Sequence, residues 1–262
     1  MKVLILGAGK MVEAILDGLK DETDLSRFYV YSPSGKSAEI LAKKVGINFA
    51  ATLDEVKDPA WVWLGCKPQQ FKDLAHSIQG KYPNATYVSM LAALAEADQL
   101  KFLGASKLIR IMPNMPVKYK KGVTLLSSSS APQELKLVKT LFSHIGLAKE
   151  VKESELEELT LLTGSGPAFF YEFTKILAGC FTSLTEKERE DLARMVLTGS
   201  GASIESSPEV LSTMINNVTS KAGVTIAVLE NWRNSKLTAL VQDGVLAGNA
   251  RSVEIGESIR RS

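Results

Sequence analysis

Histidine and cysteine are scarce in this chain, with two of each among 262 residues. Cys66 and Cys180 form no Cys-x-x-Cys pair and no disulfide framework, which fits a reducing cytoplasm. His76 and His144 alone do not suggest a multi-histidine metal site, so no metal is expected. A charge imbalance is also missing: 31 Lys and Arg against 29 Asp and Glu leave a formal net charge of +2. Without a long basic block, nucleic acid is not an expected partner. No apolar run is long enough to span a bilayer, so a membrane is not expected either. The opening Met1–Gly7 joins an early Lys to a short apolar run, as a signal peptide does. That run breaks into Gly-Ala-Gly and then a helical pattern with Glu13 and Asp17, so a buried first strand is expected. What remains is ordinary globular composition, 45% apolar and 23% charged, enough for one large core or two modest ones.

Short apolar runs alternate with helical patterns through the first part of the chain. Strands are expected at Val3–Leu6, Phe28–Tyr31, Trp61–Leu64, Thr86–Ser89 and Leu108–Met112, with Val123–Leu126 and Leu147–Val151 near an edge. Helices are expected at Met11–Lys20 and Ser37–Val45 and between the later strands. This alternation predicts an α/β fold, a Rossmann-like doubly wound parallel sheet with right-handed crossovers. The rhythm turns helical after about Val151, dividing the chain into 1–150 and an all-α part, 151–262. There Glu155–Leu162 precedes a long apolar helix from Ala168 to about Thr182, with Pro167 in its first turn. Thr185 and Glu188 have capping-box spacing. Ser207-Pro208 is expected to cap a further helix, and a last one to run from Asn234 toward Ile259. The Ala168–Thr182 stretch is apolar on more than one face, and a partner subunit is expected to cover it; packing on the N-terminal domain is the alternative.

Gly7-Ala8-Gly9-Lys10-Met11 follows a strand and opens a helix, the context of a dinucleotide-binding turn. Gly7 permits the tight turn, Gly9 lets backbone approach a pyrophosphate, and the helix N-terminus offers free N–H groups. Val12 stands where the fingerprint usually has a small residue. Any α/β protein can carry such a turn; the strand–turn–helix context favours the dinucleotide. After the second strand, Tyr31-Ser32-Pro33-Ser34-Gly35-Lys36 contains no carboxylate to hold a free ribose. Ser32, Ser34 and Lys36 are expected to bind a 2′-phosphate, which favours NADPH over NADH, although an exposed turn has the same composition. Three further loops share the strand-end edge, Cys66–Gln69, Ser89–Leu94 and Arg110–Pro116, and Cys66-Lys67-Pro68 and Met112-Pro113-Asn114 among them are expected beside the nicotinamide. Cys66 has no nearby His or cation cluster and reads as a small packing residue. Ser165 and the Asn217–Thr225 segment are candidates in the helical half, where plain helix caps and loops compete with binding roles.

In this order the motifs resemble the pyrroline-5-carboxylate reductase family, over nearly the whole chain. The resemblance rests on Gly7–Met11 with Glu13-Ala14-Ile15, Lys67-Pro68-Gln69, Arg110 with Met112-Pro113-Asn114 and Pro116, Gly164-Ser165-Gly166-Pro167-Ala168, Gly223 with Thr225, and Ala250-Arg251-Ser252 with Glu254. It implies a Rossmann domain at 1–150 and a helical dimerisation and substrate-binding domain at 151–262. It also implies a homodimer that often assembles further, and reduction of the substrate C=N bond by NADPH or NADH to give proline. By the same resemblance Gly223, Val224 and Thr225 hold the substrate carboxylate, Thr225 lies near the ring nitrogen as the catalytic side chain, and Ser165 belongs to the substrate site. The chain departs from the family pattern at Leu91 and Ala93, where small Ala and Gly are usual, and at Lys221-Ala222-Gly223-Val224-Thr225, where Pro-Gly-Gly-Thr-Thr is usual. Those departures leave two alternatives open: a reductase of another imine or carbonyl, and a nucleotide-binding paralogue without turnover.

Overall fold

The computed structural model describes residues 1–261. Its elements run β1 (Val3–Leu6), α1 (Lys10–Leu19), β2 (Phe28–Tyr31), α2 (Lys36–Val45), β3 (Asn48–Phe49), β4 (Trp61–Leu64), α3 (Phe71–Ile78), β5 (Thr86–Ser89), α4 (Glu96–Leu103), β6 (Leu108–Pro113), β7 (Gly122–Ser127), α5 (Pro132–Ser143) and β8 (Gly146–Glu150). The helical part follows with α6 (Glu153–Thr163), α7 (Gly166–Gly179), α8 (Glu186–Ser206), α9 (Leu211–Asn217), α10 (Val224–Asn234) and α11 (Leu237–Arg261).

The strands form one eight-stranded sheet in the order β3-β2-β1-β4-β5-β6-β7-β8. All four residues of β1 and of β4 are buried, as in a sheet covered on both faces. Alternate side chains feed two cores: Val3, Ile5 and Trp63 join one, while Leu4, Leu6, Val62 and Leu64 join the other. The sheet is not wholly parallel: β7 runs antiparallel to β6, then pairs in parallel with β8. A short connection with a 3₁₀ turn, Met115–Tyr119, joins β6 to β7, and a parallel return would have needed a longer crossover. The two-residue β3 is too short to have shown a sequence period.

The compact units do not divide at 150/151. One comprises Met1–Pro167 together with the chain from Asn249 onward; the other is Ala168–Gly248. The end of β8 closes the sheet but not its unit, because α6 packs on it: Leu156 is buried against Met112 and Leu125. The second unit has almost no core of its own. Among the described residues, Ala178 is its one buried apolar side chain, while Phe169, Phe170, Tyr171 and Ile176 of α7 stand exposed. Within it Phe173 meets Trp232 edge-to-face, ring centroids 5.8 Å apart.

Helix ends followed the cap chemistry where that chemistry was unambiguous. Thr185 and Glu188 form the expected capping box, with Glu188 N donating to Thr185 Oγ1 at 3.3 Å and Thr185 N to Glu188 Oε2 at 2.9 Å. Ser207 does not open a helix: its amide donates back to Ser203 O and closes α8, and Val210 precedes α9. Asn234 ends α10 rather than starting the last helix, since Lys236 at φ 61° breaks the chain before α11. No helix among the described residues is long and apolar enough to cross a membrane.

Candidate active site

Strand order reverses between β1 and β4, and a crevice opens beyond their carboxyl ends, where open α/β sheets bind ligands. Gly7 makes the turn at φ 114°, with its amide donating to Tyr31 O at 2.9 Å. A Cβ there would meet Gly65 O at 2.6 Å, so the turn admits only glycine. Gly9 precedes α1 in extended conformation, and no side chain among the described residues caps that helix. The amides of its first turn, which include those of Lys10 and Met11, are therefore available to an anion. Val12 is accommodated from the opposite strand. It is buried, and a Cβ on Gly65 would stand 2.6 Å from its Cγ2. The close approach normally given by a small helix residue is thus given by a glycine after β4.

A cavity of about 700 Å³ extends from this turn, bounded by Gly7, Ala8 and Gly9, by Ser32 and Ser34, and by Cys66 and Lys67. Ser32 is buried and its Oγ accepts from Ser37 Oγ at 3.0 Å and from Ala38 N at 3.3 Å, leaving its own proton to donate. Lys36 lies in the first turn of α2 and is exposed; Ser37, not Lys36, lines the cavity. The far wall comes from α3 and the turn before it: Gln70, Asp73, Leu74 and Ser77. These recur at helical spacing on the face adjoining the buried Phe71, Ala75 and Ile78. That periodicity is present in the sequence, but none of the four belongs to a binding motif.

A smaller cavity, about 190 Å³, lies at the other end of the turn, between Gly9, Met11, Cys66, Met90, Met112 and Pro113. Pro68 opens a 3₁₀ turn beside it and stiffens the Lys67 loop. Burial pushes the Cys66 thiol up to about 11, so at neutral pH it is a protonated packing group and not a nucleophile. Asn114 is buried and occupied elsewhere: its Nδ2 donates to Thr163 O at 2.8 Å and its Oδ1 accepts from Val123 N at 2.9 Å. It fixes the end of α6, just before Ser165, which lies half-buried in the break to α7.

Gly223 precedes α10, with Val224 and Thr225 in its first turn and no capping side chain among the described residues. Both residues are exposed, and the first-turn amides are free to hold an anion. Ser165 belongs to the first compact unit, and Gly223, Val224 and Thr225 to the second. Ala222 stands at φ 61° and Ala93 at φ 63°, left-handed conformations at two positions where glycine is the family's usual residue. The backbone shape is kept although the glycine is not. Ala222→Gly is expected to raise unfolding stability by roughly 0.5–1 kcal/mol, relief of αL strain outweighing the looser unfolded chain; denaturant titration would show it as a higher midpoint.

Turn, crevice and uncapped helix define a dinucleotide-dependent oxidoreductase. Residues 2–93 match the family described as NADP oxidoreductase, coenzyme F420-dependent, and residues 153–255 match pyrroline-5-carboxylate reductase dimerisation. The pyrroline-5-carboxylate reductase of Staphylococcus epidermidis is 32% identical, the match covering 97% of this chain and 98% of that one. The 1-pyrroline-5-carboxylate reductase of Streptococcus pyogenes superposes with a TM-score of 0.84 at 27% identity, covering 97% of this chain and 98% of that one. The Plasmodium falciparum pyrroline carboxylate reductase, solved with NADP bound, shares the fold at a TM-score of 0.84 and 20% identity, covering 98% of each chain. The chain belongs to the pyrroline-5-carboxylate reductase family.

Proposed function

We propose that this protein transfers a hydride from NADPH to the C=N carbon of 1-pyrroline-5-carboxylate, yielding L-proline and NADP⁺. The observation that carries the proposal is the glycine-built crevice between β1 and β4, in a chain whose family likeness runs nearly end to end. NADPH lies with its pyrophosphate on Gly7–Met11, its 2′-phosphate at Ser32 and Ser34, and its nicotinamide at the Met112-Pro113 cavity. The hydroxyl cluster of Ser32, Ser34 and Ser37 suits a phosphate, and the absence of a carboxylate in residues 31–36 disfavours a bare ribose. NADPH is accordingly expected to give the higher kcat/KM, and a higher value with NADH would contradict this assignment.

The family resemblance assigns the substrate carboxylate to the Gly223–Thr225 turn; there the amides of Val224 and Thr225 are the ones to hold it, because the Gly223 amide donates to Ser220 O at 3.1 Å, and the same resemblance gives Ser165 a substrate role. Hydride transfer is the chemistry NADPH would supply; the protein's part would be to hold the imine carbon in near-attack contact with the nicotinamide, about 3–3.5 Å in such reactions. The imine reacts as its protonated form: the hydride pair becomes a C–H bond, the C=N π electrons move to nitrogen, and the neutral ring amine results. Thr225 orients that nitrogen by a hydrogen bond and is not a strong acid. Thr225→Ala is expected to lower kcat/KM for the imine about 10- to 100-fold with little change in NADPH affinity; steady-state kinetics beside a cofactor titration separate the two.

We further propose that the working species is a homodimer, with dimers able to associate further, in which a second copy covers the exposed aromatic side chains of α7. The family match described as dimerisation and the missing core of the Ala168–Gly248 unit support this. A cytoplasmic setting fits the unpaired Cys66 and Cys180.

A further inference from the structure

One buried charge cluster lies outside the roles described so far. Arg110 on β6 is 1% exposed. Its Nη1 donates to Glu153 Oε1 at 2.8 Å, and its Nη2 donates to Leu91 O at 3.2 Å and to Glu157 Oε1. Both carboxylates reach onward to backbone. Glu157 Oε2 accepts the Ala93 amide at 3.0 Å, and Glu153 Oε1 accepts the Glu96 amide at 3.0 Å. Three backbone groups between residues 91 and 96 are thereby tied to one guanidinium, one directly and two through a carboxylate. Ala93 makes its bond from the left-handed conformation, φ 63°. The end of α11 closes over the same segment: Ser252 Oγ lies 3.4 Å from Glu157 Oε2, and a Cβ on Gly256 would stand 2.3 Å from Ala93 O.

The segment these groups hold begins at Met90, a wall of the small cavity shared with Gly9, Met11, Met112 and Pro113. We propose that Arg110 and Glu157 are positioning residues that fix Met90–Ala93, so that Met90 sets the depth of the nicotinamide seat, and that Gly256 is glycine because this placement of Ala93 leaves no room for a side chain. The proposal rests on the cofactor assignment given above. A purely stabilising role is the weaker account, because a buried ion pair often does no better than apolar side chains, and here the second oxygen of Glu157 and the shared Oε1 of Glu153 both bond backbone amides of a single loop.

Gly256→Ala tests it most directly, since the added carbon must displace Ala93 O and touches neither cofactor nor substrate. With NADPH and 1-pyrroline-5-carboxylate, kcat is expected to fall about 10- to 100-fold while the Kd for NADPH changes less than about threefold and the Tm by only a few degrees. Glu157→Gln keeps an oxygen for the Ala93 amide and removes the charge that orients Arg110; the same split between kcat and Kd is expected, and it serves alone if Gly256→Ala does not fold. Unchanged kcat in folded variants would overturn the proposal. So would losses of kcat and NADPH affinity that merely track loss of folded protein. A wild-type protein that binds NADPH but reduces no imine would instead overturn the reductase assignment, and this role would fall with it.

Discussion

Gly7→Ala is expected to weaken NADPH binding by on the order of a hundredfold or more. The reasoning is steric. Gly7 sits at φ 114°, and a Cβ would stand 2.6 Å from Gly65 O, 2.7 Å from Gly65 C and 2.9 Å from Cys66 N. All three are backbone atoms of the loop after β4, so no side chain can rotate away. Nor can the turn retreat freely, because the Gly7 amide is bonded to Tyr31 O at 2.9 Å. Either the turn flattens or the β1 and β4 loops separate, and both displace the first-turn amides of α1 from the pyrophosphate. Part of the cost also falls on folding, about 2–3 kcal/mol from αL-side strain and overpacking. Fluorescence titration with NADPH, beside a circular-dichroism check of fold, reads the effect. Affinity within threefold of wild type would mean that the pyrophosphate does not lie on this turn.

Phe170→Asp is expected to convert the proposed dimer to monomer and to reduce activity by about a hundredfold or more. Phe170 is 60% exposed in the single chain, amid Phe169, Tyr171 and Ile176 on a 14-residue helix. So much adjoining aromatic surface is more than a soluble monomer ordinarily leaves open. If a second copy covers it, a carboxylate placed there must be buried without a partner, at a cost of several kcal/mol per copy. In the proposed two-fold dimer the same face of both copies meets, so each dimer would carry the defect twice. Light scattering on a sizing column reads the mass, and activity on the same fractions reads the coupling. A dimer of unchanged stability would place the contact on another face.

The strands were legible because a sheet covered on both faces demands unbroken apolar runs, as in Val3–Leu6 and Trp61–Leu64. Direction was not: β7 is a buried apolar run like those of the parallel strands β1 and β4, and the short path from Pro113 to Gly122 makes it antiparallel to β6. The glycine turn was legible through its context, whereas the compensation of Val12 by Gly65 was not, since the two are far apart in sequence and meet only across β1 and β4. Likewise the α3 wall of the cofactor crevice was hidden in an ordinary amphipathic pattern. Asn114 shows the opposite case. Its motif reads as a cofactor contact, while its side chain bonds Thr163 O and Val123 N. Departures from the family pattern had a structural meaning that spacing alone could not supply: Ala93 and Ala222 keep left-handed backbone without glycine.

The central claim is tested most directly by following NADPH oxidation by the purified protein with 1-pyrroline-5-carboxylate and measuring the product. One proline formed per NADPH consumed, with a higher kcat/KM than NADH gives, is the expected result. Tight NADPH binding without oxidation by this imine would contradict it.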